Sequence, residues 1–370
     1  MIKVGVLGAS GLVGSRLVEM FHLEQIAEVI PIVRSTNSLA RLARFSLQWR
    51  VADAIDFSGL VDAFRGCDVV VHAVHGPNDL IVEAPRVAYR AAQAAGVRRI
   101  VYLSTTAVHG QNPDPGTDET SPLHTRHSYA YNNAKVRAEQ EFQRLRKAGD
   151  VELVVLRPGI VFGPRDRWIT NIARTVMDRT AYIVRGPGIC NTTYVDNLVH
   201  AIRLAMTAGV DRETFIIVDK ETVTWRDLYR SVSTALNSGW EVPEIENPAV
   251  LNESVQLVDR LKEFKIIRAT VPFIPRTWKI RLRDTMETAG TIRLALRQVQ
   301  ERRNVNPWQF PAPARPSVSA ETYLLYQCRH KFSYARARNQ MGYEPLYRVD
   351  EGLQRTLAWL KFVGYPVTDK

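Results

Sequence analysis

Apolar positions along this chain fall into two alternating patterns. Continuous runs of aliphatic and β-branched residues recur at 2–7, 28–33, 69–74, 99–103 and 151–156. Between them lie stretches with helical spacing, at 12–22, 58–65 and 82–95, the last stopping on Gly96. Strands that are apolar on both faces and alternate with amphipathic helices predict a parallel sheet covered on both sides. After Arg157 the pattern breaks into helical and irregular pieces with short strands at 182–185 and 215–218 and a proline-rich stretch at 307–316. The chain carries no internal repeat.

The first apolar run passes straight into Gly8-Ala9-Ser10-Gly11-Leu12-Val13-Gly14. A buried strand that hands over to a helix through glycines lets backbone amides approach a pyrophosphate, with the positive end of the helix dipole behind them. The spacing is GxxGxxG, which alone is a weak dinucleotide signal. With the strand pattern it predicts an α/β fold: a doubly wound, Rossmann-type parallel sheet with the ligand at the carboxyl ends of the strands and a smaller, discontinuous C-terminal substrate domain. The expected partition is a cofactor domain over 1–163 with 194–218 returning to it, and a substrate domain over 164–193 and 219–370.

The 370 residues, 45% hydrophobic and 24% charged, have the balance of a globular protein with a large core. Cys67, Cys190 and Cys328 are few and far apart, which suggests neither a disulfide framework nor a zinc site. The first core strand begins at Ile2, so no cleavable leader is expected and the expected compartment is the cytoplasm. The net charge of +11 is concentrated between 257 and 304, where twelve Lys or Arg face five acids. That segment could touch an anionic membrane surface weakly. Its prolines interrupt a long surface helix, so a solvated amphipathic insert is the preferred reading. It lacks the regular aromatic interleaving of a single-strand groove, and no nucleic-acid partner is expected.

Candidate chemistry centres on Tyr131 and Lys135, four residues apart in a helical stretch at 129–147 and so on one helix face. A phenol titrates near pH ~10, and a neighbouring ammonium would favour its phenolate. Hydroxyls are available from Ser104-Thr105-Thr106, directly after the run at 99–103 and therefore at the ligand edge of the sheet. At the end of the second run, Arg34 stands where an acid would accept from the ribose of NAD, and a guanidinium there leans toward the 2′-phosphate of NADP. The eight histidines show no metal-ligand spacing, and no metal is expected. His72 reads as a hydrogen-bonded core residue, and His124 and His127 as caps or solvated loop residues.

Taken together these segments resemble the extended short-chain dehydrogenase/reductase family, which includes the NAD-dependent epimerases and dehydratases. The resemblance runs through the glycine turn, Asp53-Ala54-Ile55-Asp56, Val70-Val71-His72-Ala73-Val74, Ser104 to Gly110, Tyr131 to Lys135 with Glu139, Arg157 to Pro164, Tyr194-Val195-Asp196-Asn197 and Met341-Gly342-Tyr343-Glu344-Pro345. It implies Tyr131 as general acid/base, Lys135 on the nicotinamide ribose and lowering the tyrosine pKa, and Thr105 orienting the reacting oxygen. It further implies cofactor contacts at Gly8, Ser10, Gly11, Leu12, Val13, Gly14, Asp53, Ala54, Ala73 and Pro158, with weaker substrate candidates at Ser104 and His109. A homodimer is the family's default.

Three departures narrow the chemistry. His109 replaces the usual tyrosine of the VYG motif, Thr106-Ala107 replaces the acidic pair of sugar 4,6-dehydratases, and Gly159 stands where many nucleotide-sugar members carry Asn. Dehydration is therefore not expected. The main expectation is reversible hydride transfer between NAD(P) and a secondary alcohol or ketone. A nucleotide-sugar epimerase with retained NAD is the alternative, and a non-catalytic dinucleotide-sensing or nucleic-acid-binding protein is a third reading.

Overall fold

In the computed structural model, which describes residues 1–251 and 317–368, the apolar runs become one parallel sheet. Its first strands are β1 (Lys3–Leu7), β2 (Glu28–Val33), β3 (Arg50–Val51), β4 (Val69–His72), β5 (Arg99–Leu103) and β6 (Glu152–Pro158). Short strands follow: β7 (Ile160–Phe162), β8 (Ile183–Val184), β9 (Ile189–Cys190) and β10 (Thr192–Tyr194). Then come β11 (Glu213–Ile217) and β12 (Val223–Thr224). The main sheet runs β11-β6-β5-β4-β1-β2-β3, with every pair parallel. The strand order reverses between β1 and β4, so the crevice of this doubly wound fold opens at their carboxyl ends, where Gly8 and Ala73 lie.

The helices are α1 (Leu12–Leu23), α2 (Phe57–Phe64), α3 (Asn78–Ala94), α4 (Ala130–Ala148), α5 (Arg167–Met177), α6 (Val195–Thr207) and α7 (Trp225–Ala235). Leu17, Val18 and Phe21 of α1 pack with Leu198 and Ile202 of α6 on one face of the sheet. Leu60 and Phe64 of α2, Ala84 and Ala88 of α3, and Ala138 and Phe142 of α4 cover the other. Each large apolar side chain so buried stabilises the fold by roughly 1.5–3 kcal/mol, which makes the two-sided layering the dominant organising force. Arg99 ties the end of α6 to β5, donating to the carbonyl of Ala205 in the last turn of the helix and to those of Ala208 and Val210 just beyond it. The C-terminal stretch returns to the same core: Met341 and Tyr343, around the left-handed Gly342, pack in the α1/α6 layer.

The chain forms two compact units, Met1–Glu246 with Glu321–Lys370, and Asn247–Ala320. In the second, Ala249–Leu251 pairs in parallel with Ser317–Ser319. The basic segment 257–304 and the proline-rich stretch 307–316 lie outside the described residues. No helix among the described residues is long and apolar enough to cross a membrane.

Candidate active site

The glycines of the first turn have different reasons to be glycine. Gly8 has φ +93°, and a Cβ there would meet the Ala73 carbonyl at 2.6 Å. A Cβ on Gly14 would lie 2.3 Å from the Gly8 carbonyl, so this glycine lets α1 pack against the turn. Gly11 is exposed, and a Cβ there would meet only the Gly8 carbonyl at 3.4 Å. Gly11 is also the N-cap of α1, and no side chain caps the helix. An open, uncapped helix start at the carboxyl end of β1 is a cradle a side chain would fill and a pyrophosphate fits.

Around this turn Ser10, Leu12, Val13 and Ala73 are half-buried, and Ala54 and Pro158 are buried. Asp53 is half-buried after β3, and its carboxylate accepts from the Ile55 amide at 3.2 Å. Arg34 is exposed after β2, and its position singles out no 2′-phosphate. Arg41, which no motif marks, donates from its guanidinium to the Ser10 carbonyl at 3.2 Å and so reaches over the glycine turn.

Thr105 follows β5 in extended conformation and caps a short 3-10 turn, its hydroxyl oxygen accepting from the Ala107 amide at 3.2 Å. It lines a small cavity of about 50 Å³ with Gly159, Ile160, Ile189, Trp225 and Phe332. Tyr131 and Lys135 sit in the first turns of α4, but their environments differ. Tyr131 is half-buried, with the His75 ring tilted against it at 5.7 Å and the Tyr129 ring at 6.0 Å. Lys135 lies on the sheet-facing side with Glu139 and Phe142, at i, i+4 and i+7, and is buried. Its ammonium donates to the Leu103 carbonyl at 2.9 Å and the Tyr102 hydroxyl at 3.4 Å. This ties α4 to the end of β5, two residues before Thr105.

The groups that act on the Tyr131 phenol do not include Lys135. Burial, with Tyr129 second, pushes the Tyr131 phenol up from its ordinary value, so the phenol holds its proton. Burial brings Lys135 down to about 8, opposed by Glu139. The lysine is committed to β5.

Ser104 and His109 are also occupied. The Ser104 hydroxyl donates to Glu139, and Arg157 holds the same carboxylate through Nε at 3.1 and 3.2 Å and Nη2 at 2.7 Å. Arg157 Nη1 lies 3.1 Å from His109 Nε2 and donates to the Glu119 carbonyl at 3.3 Å. A guanidinium can only donate, so His109 Nε2 is the acceptor and its proton sits on Nδ1. Burial and then Arg157 bring His109 down to about 3, consistent with a neutral ring. Both candidates thus belong to one hydrogen-bond network, in which Ser104, Glu139 and Arg157 are buried and His109 and Glu119 half-buried.

His72 is buried as expected, yet neither ring nitrogen has a hydrogen-bond partner, contrary to the sequence reading. Burial, then Lys135, brings it down to about 3. His127 Nε2 donates to the Val108 carbonyl at 3.0 Å, and its ring stacks with that of exposed His124. Among the described residues no group of three His, Cys, Asp or Glu could hold a metal ion.

The fold and site therefore define a doubly wound α/β protein with an open glycine turn and with a hydroxyl, a phenol and a buried ammonium near the ligand edge of its sheet. A profile of the NAD dependent epimerase/dehydratase family matches residues 4–217, and the chain belongs to that family. It is similar to 3beta-hydroxysteroid-dehydrogenase/decarboxylase isoform 1 of Arabidopsis thaliana, 23% identical over 98% of this chain and 81% of the relative. It is also 26% identical to the N-acetyl-alpha-D-glucosaminyl-diphospho-ditrans,octacis-undecaprenol 4-epimerase of Escherichia coli O157:H7, over 66% of this chain and 75% of the relative. Among solved structures it shares the fold of UDP-glucuronic acid 4-epimerase from Bacillus cereus, crystallised with UDP-glucuronic acid and NAD. The TM-score is 0.66 at 15% identity, covering 98% of this chain and 100% of that one.

Proposed function

We propose that this chain oxidises a secondary alcohol to a ketone with NAD as its dinucleotide, and reverses the step. The observation that carries the reading is the placement of Thr105, Tyr131 and buried Lys135 around the carboxyl end of β5, in the same fold as an open, uncapped glycine turn. NAD, when bound, supplies the hydride acceptor at nicotinamide C4. The backbone from Gly8 to Gly14 would hold its pyrophosphate, Asp53 and Ala54 its adenine end, and Ala73 and Pro158 its flank, with Lys135 toward the ribose.

The Thr105 hydroxyl, which already accepts from Ala107, has its proton left to orient the reacting oxygen. Tyr131 moves the proton: in reduction its protonated phenol donates to the ketone oxygen as the carbon gains hydride. In oxidation the alcohol O–H proton must go to a deprotonated Tyr131, so a raised phenol makes oxidation the direction that improves with rising pH.

Two continuations share this first step. In an epimerase the hydride returns to the opposite face of the same carbon, and NAD stays bound; the family and the Escherichia coli and Bacillus cereus relatives support this continuation. In a dehydrogenase the ketone and reduced cofactor leave; the Arabidopsis relative and the apolar Ile160, Ile189 and Phe332 beside Thr105 support that one. NAD is preferred over NADP because the family model is that of NAD dependent enzymes and the Bacillus cereus structure holds NAD.

The test incubates purified protein with NAD+ and, separately, UDP-glucose, UDP-N-acetylglucosamine and a 3β-hydroxysteroid. Absorbance at 340 nm reports net oxidation and NMR of the sugar reports epimerisation. Turnover of any of these that is lost in Tyr131→Phe supports the reading. Turnover undiminished in that variant would remove Tyr131 from the chemistry.

A further inference from the structure

Tyr102 is a fully buried tyrosine in β5 that the proton-transfer scheme does not use. Its hydroxyl accepts from Lys135 Nζ at 3.4 Å, and the ammonium also lies 5.1 Å from the centre of its ring. The ring is held from two sides. Phe142 of α4 lies 4.7 Å away, and His72 of β4 meets it edge-on at 5.4 Å. His72 and Phe142 in turn touch each other at 5.4 Å, nearly perpendicular. This three-ring cluster leaves Tyr102 little freedom, and the polar atom it offers is the one Lys135 uses. His72, with no hydrogen bond of its own, contributes as a ring.

We propose that Tyr102 is a positioning residue for Lys135: its clamped ring and hydroxyl fix the ammonium at the end of β5 and hold it protonated for the cofactor. The inference rests on the NAD-dependent reading above. A cation over an aromatic face and a hydrogen bond from a charged donor both favour the charged amine in a site that burial otherwise disfavours. The titratable groups that act on or touch Lys135 are His72 of β4, His75 after it, Tyr102 of β5 and Glu139 of α4, whose carboxylate also pairs with Arg157 of β6. The two histidines are pushed toward neutrality and the Tyr102 phenol toward its protonated form, leaving Glu139 as the anion that supports the ammonium. Burial already brings Lys135 down to about 8, so the loss of one acceptor acts within an accessible pH range.

The experiment titrates wild type, Tyr102→Phe and Tyr102→Leu with NADH, and with NADPH in parallel, from pH 6 to 10 by fluorescence. Circular dichroism confirms that each variant is folded. Wild-type affinity should fall as pH rises through about 8. In Y102F, which keeps the ring, the midpoint of that fall should move down by about half a unit or more with affinity at pH 6.5 unchanged within about twofold. In Y102L it should move further. Superimposable profiles, or a wild-type affinity without an alkaline fall, would overturn the positioning role, since a purely structural residue lowers the melting temperature without moving the midpoint. Failure of wild type to bind either dinucleotide at any pH would overturn the NAD-dependent reading itself.

Discussion

The Arg157–Glu139 pair is the interaction on which the geometry behind Thr105 depends most, and Arg157→Met isolates it. The pair is 5% exposed on each side, and the carboxylate keeps only the Ser104 hydroxyl once the guanidinium is gone. His109 Nε2 and the Glu119 carbonyl lose their donor as well. Removing one partner of a buried ion pair costs about 3–5 kcal/mol, because the remaining charge loses its bonded counterion; here Glu139 keeps only the Lys135 ammonium as a charged neighbour. With an unfolding entropy of about 2.1 cal/mol/K per residue, a chain of 370 residues melting as one unit should lose about 4–6 °C. The double variant Glu139→Gln/Arg157→Met removes both charges of the pair and leaves Ser104 an acceptor, while the buried Lys135 ammonium loses the anion beside it. Its cost should be no more than about half that of the single variant. Urea unfolding followed by tryptophan fluorescence and circular dichroism gives the three free energies. A single-variant cost below about 1 kcal/mol, or a double variant as unstable as the sum of both singles, would refute this account of the network.

Two further variants separate the roles of the glycines and of a helix cap. Gly11→Ala should leave the melting temperature within about 2 °C but weaken NADH binding at least tenfold, whereas Gly14→Ala should destabilise the fold itself, as its Cβ would lie 2.3 Å from the Gly8 carbonyl; paired thermal melts and NADH titrations read both. Asp166 caps α5 through the Ile169 amide at 2.8 Å, while burial pushes its carboxyl up to about 6. A raised carboxyl favours the folded state below its unfolded pKa near ~3.9, and that contribution is lost as pH rises through about 6. Asp166→Asn, which keeps the cap without the charge, should therefore gain on wild type between pH 4 and 7, while Asp166→Ala should cost about 1–2 kcal/mol; denaturation curves at pH 4, 5.5 and 7 check both.

Much of the sheet was legible because each parallel strand is a short apolar run and each covering helix repeats with a period near 3.6. The glycine turn, Thr105, Tyr131 and Lys135 were legible as local motifs. What those motifs do not encode is direction. Spacing places Tyr131 and Lys135 on one helix, but only the packed structure turns the lysine toward Leu103 and Tyr102 of a strand some thirty residues earlier. The occupation of Ser104 by Glu139 and of His109 by Arg157 likewise comes through contacts distant in sequence and without period. Arg41 over Ser10 and His75 against Tyr131 come from loops, where no hydrophobic pattern marks a side chain's destination. His72 reads as a polar core residue in need of a partner, and it is held by aromatic rings instead.

The most direct test of a dinucleotide at the glycine turn is the content of the purified protein: the ultraviolet spectrum and mass of whatever is released on denaturation, followed by titration of the emptied protein with NADH and NADPH. The account predicts released NAD or, from an empty protein, saturable NADH binding that Gly11→Ala weakens at least tenfold. A protein that releases no dinucleotide and binds neither reduced form, or one whose binding is indifferent to Gly11→Ala, would contradict it.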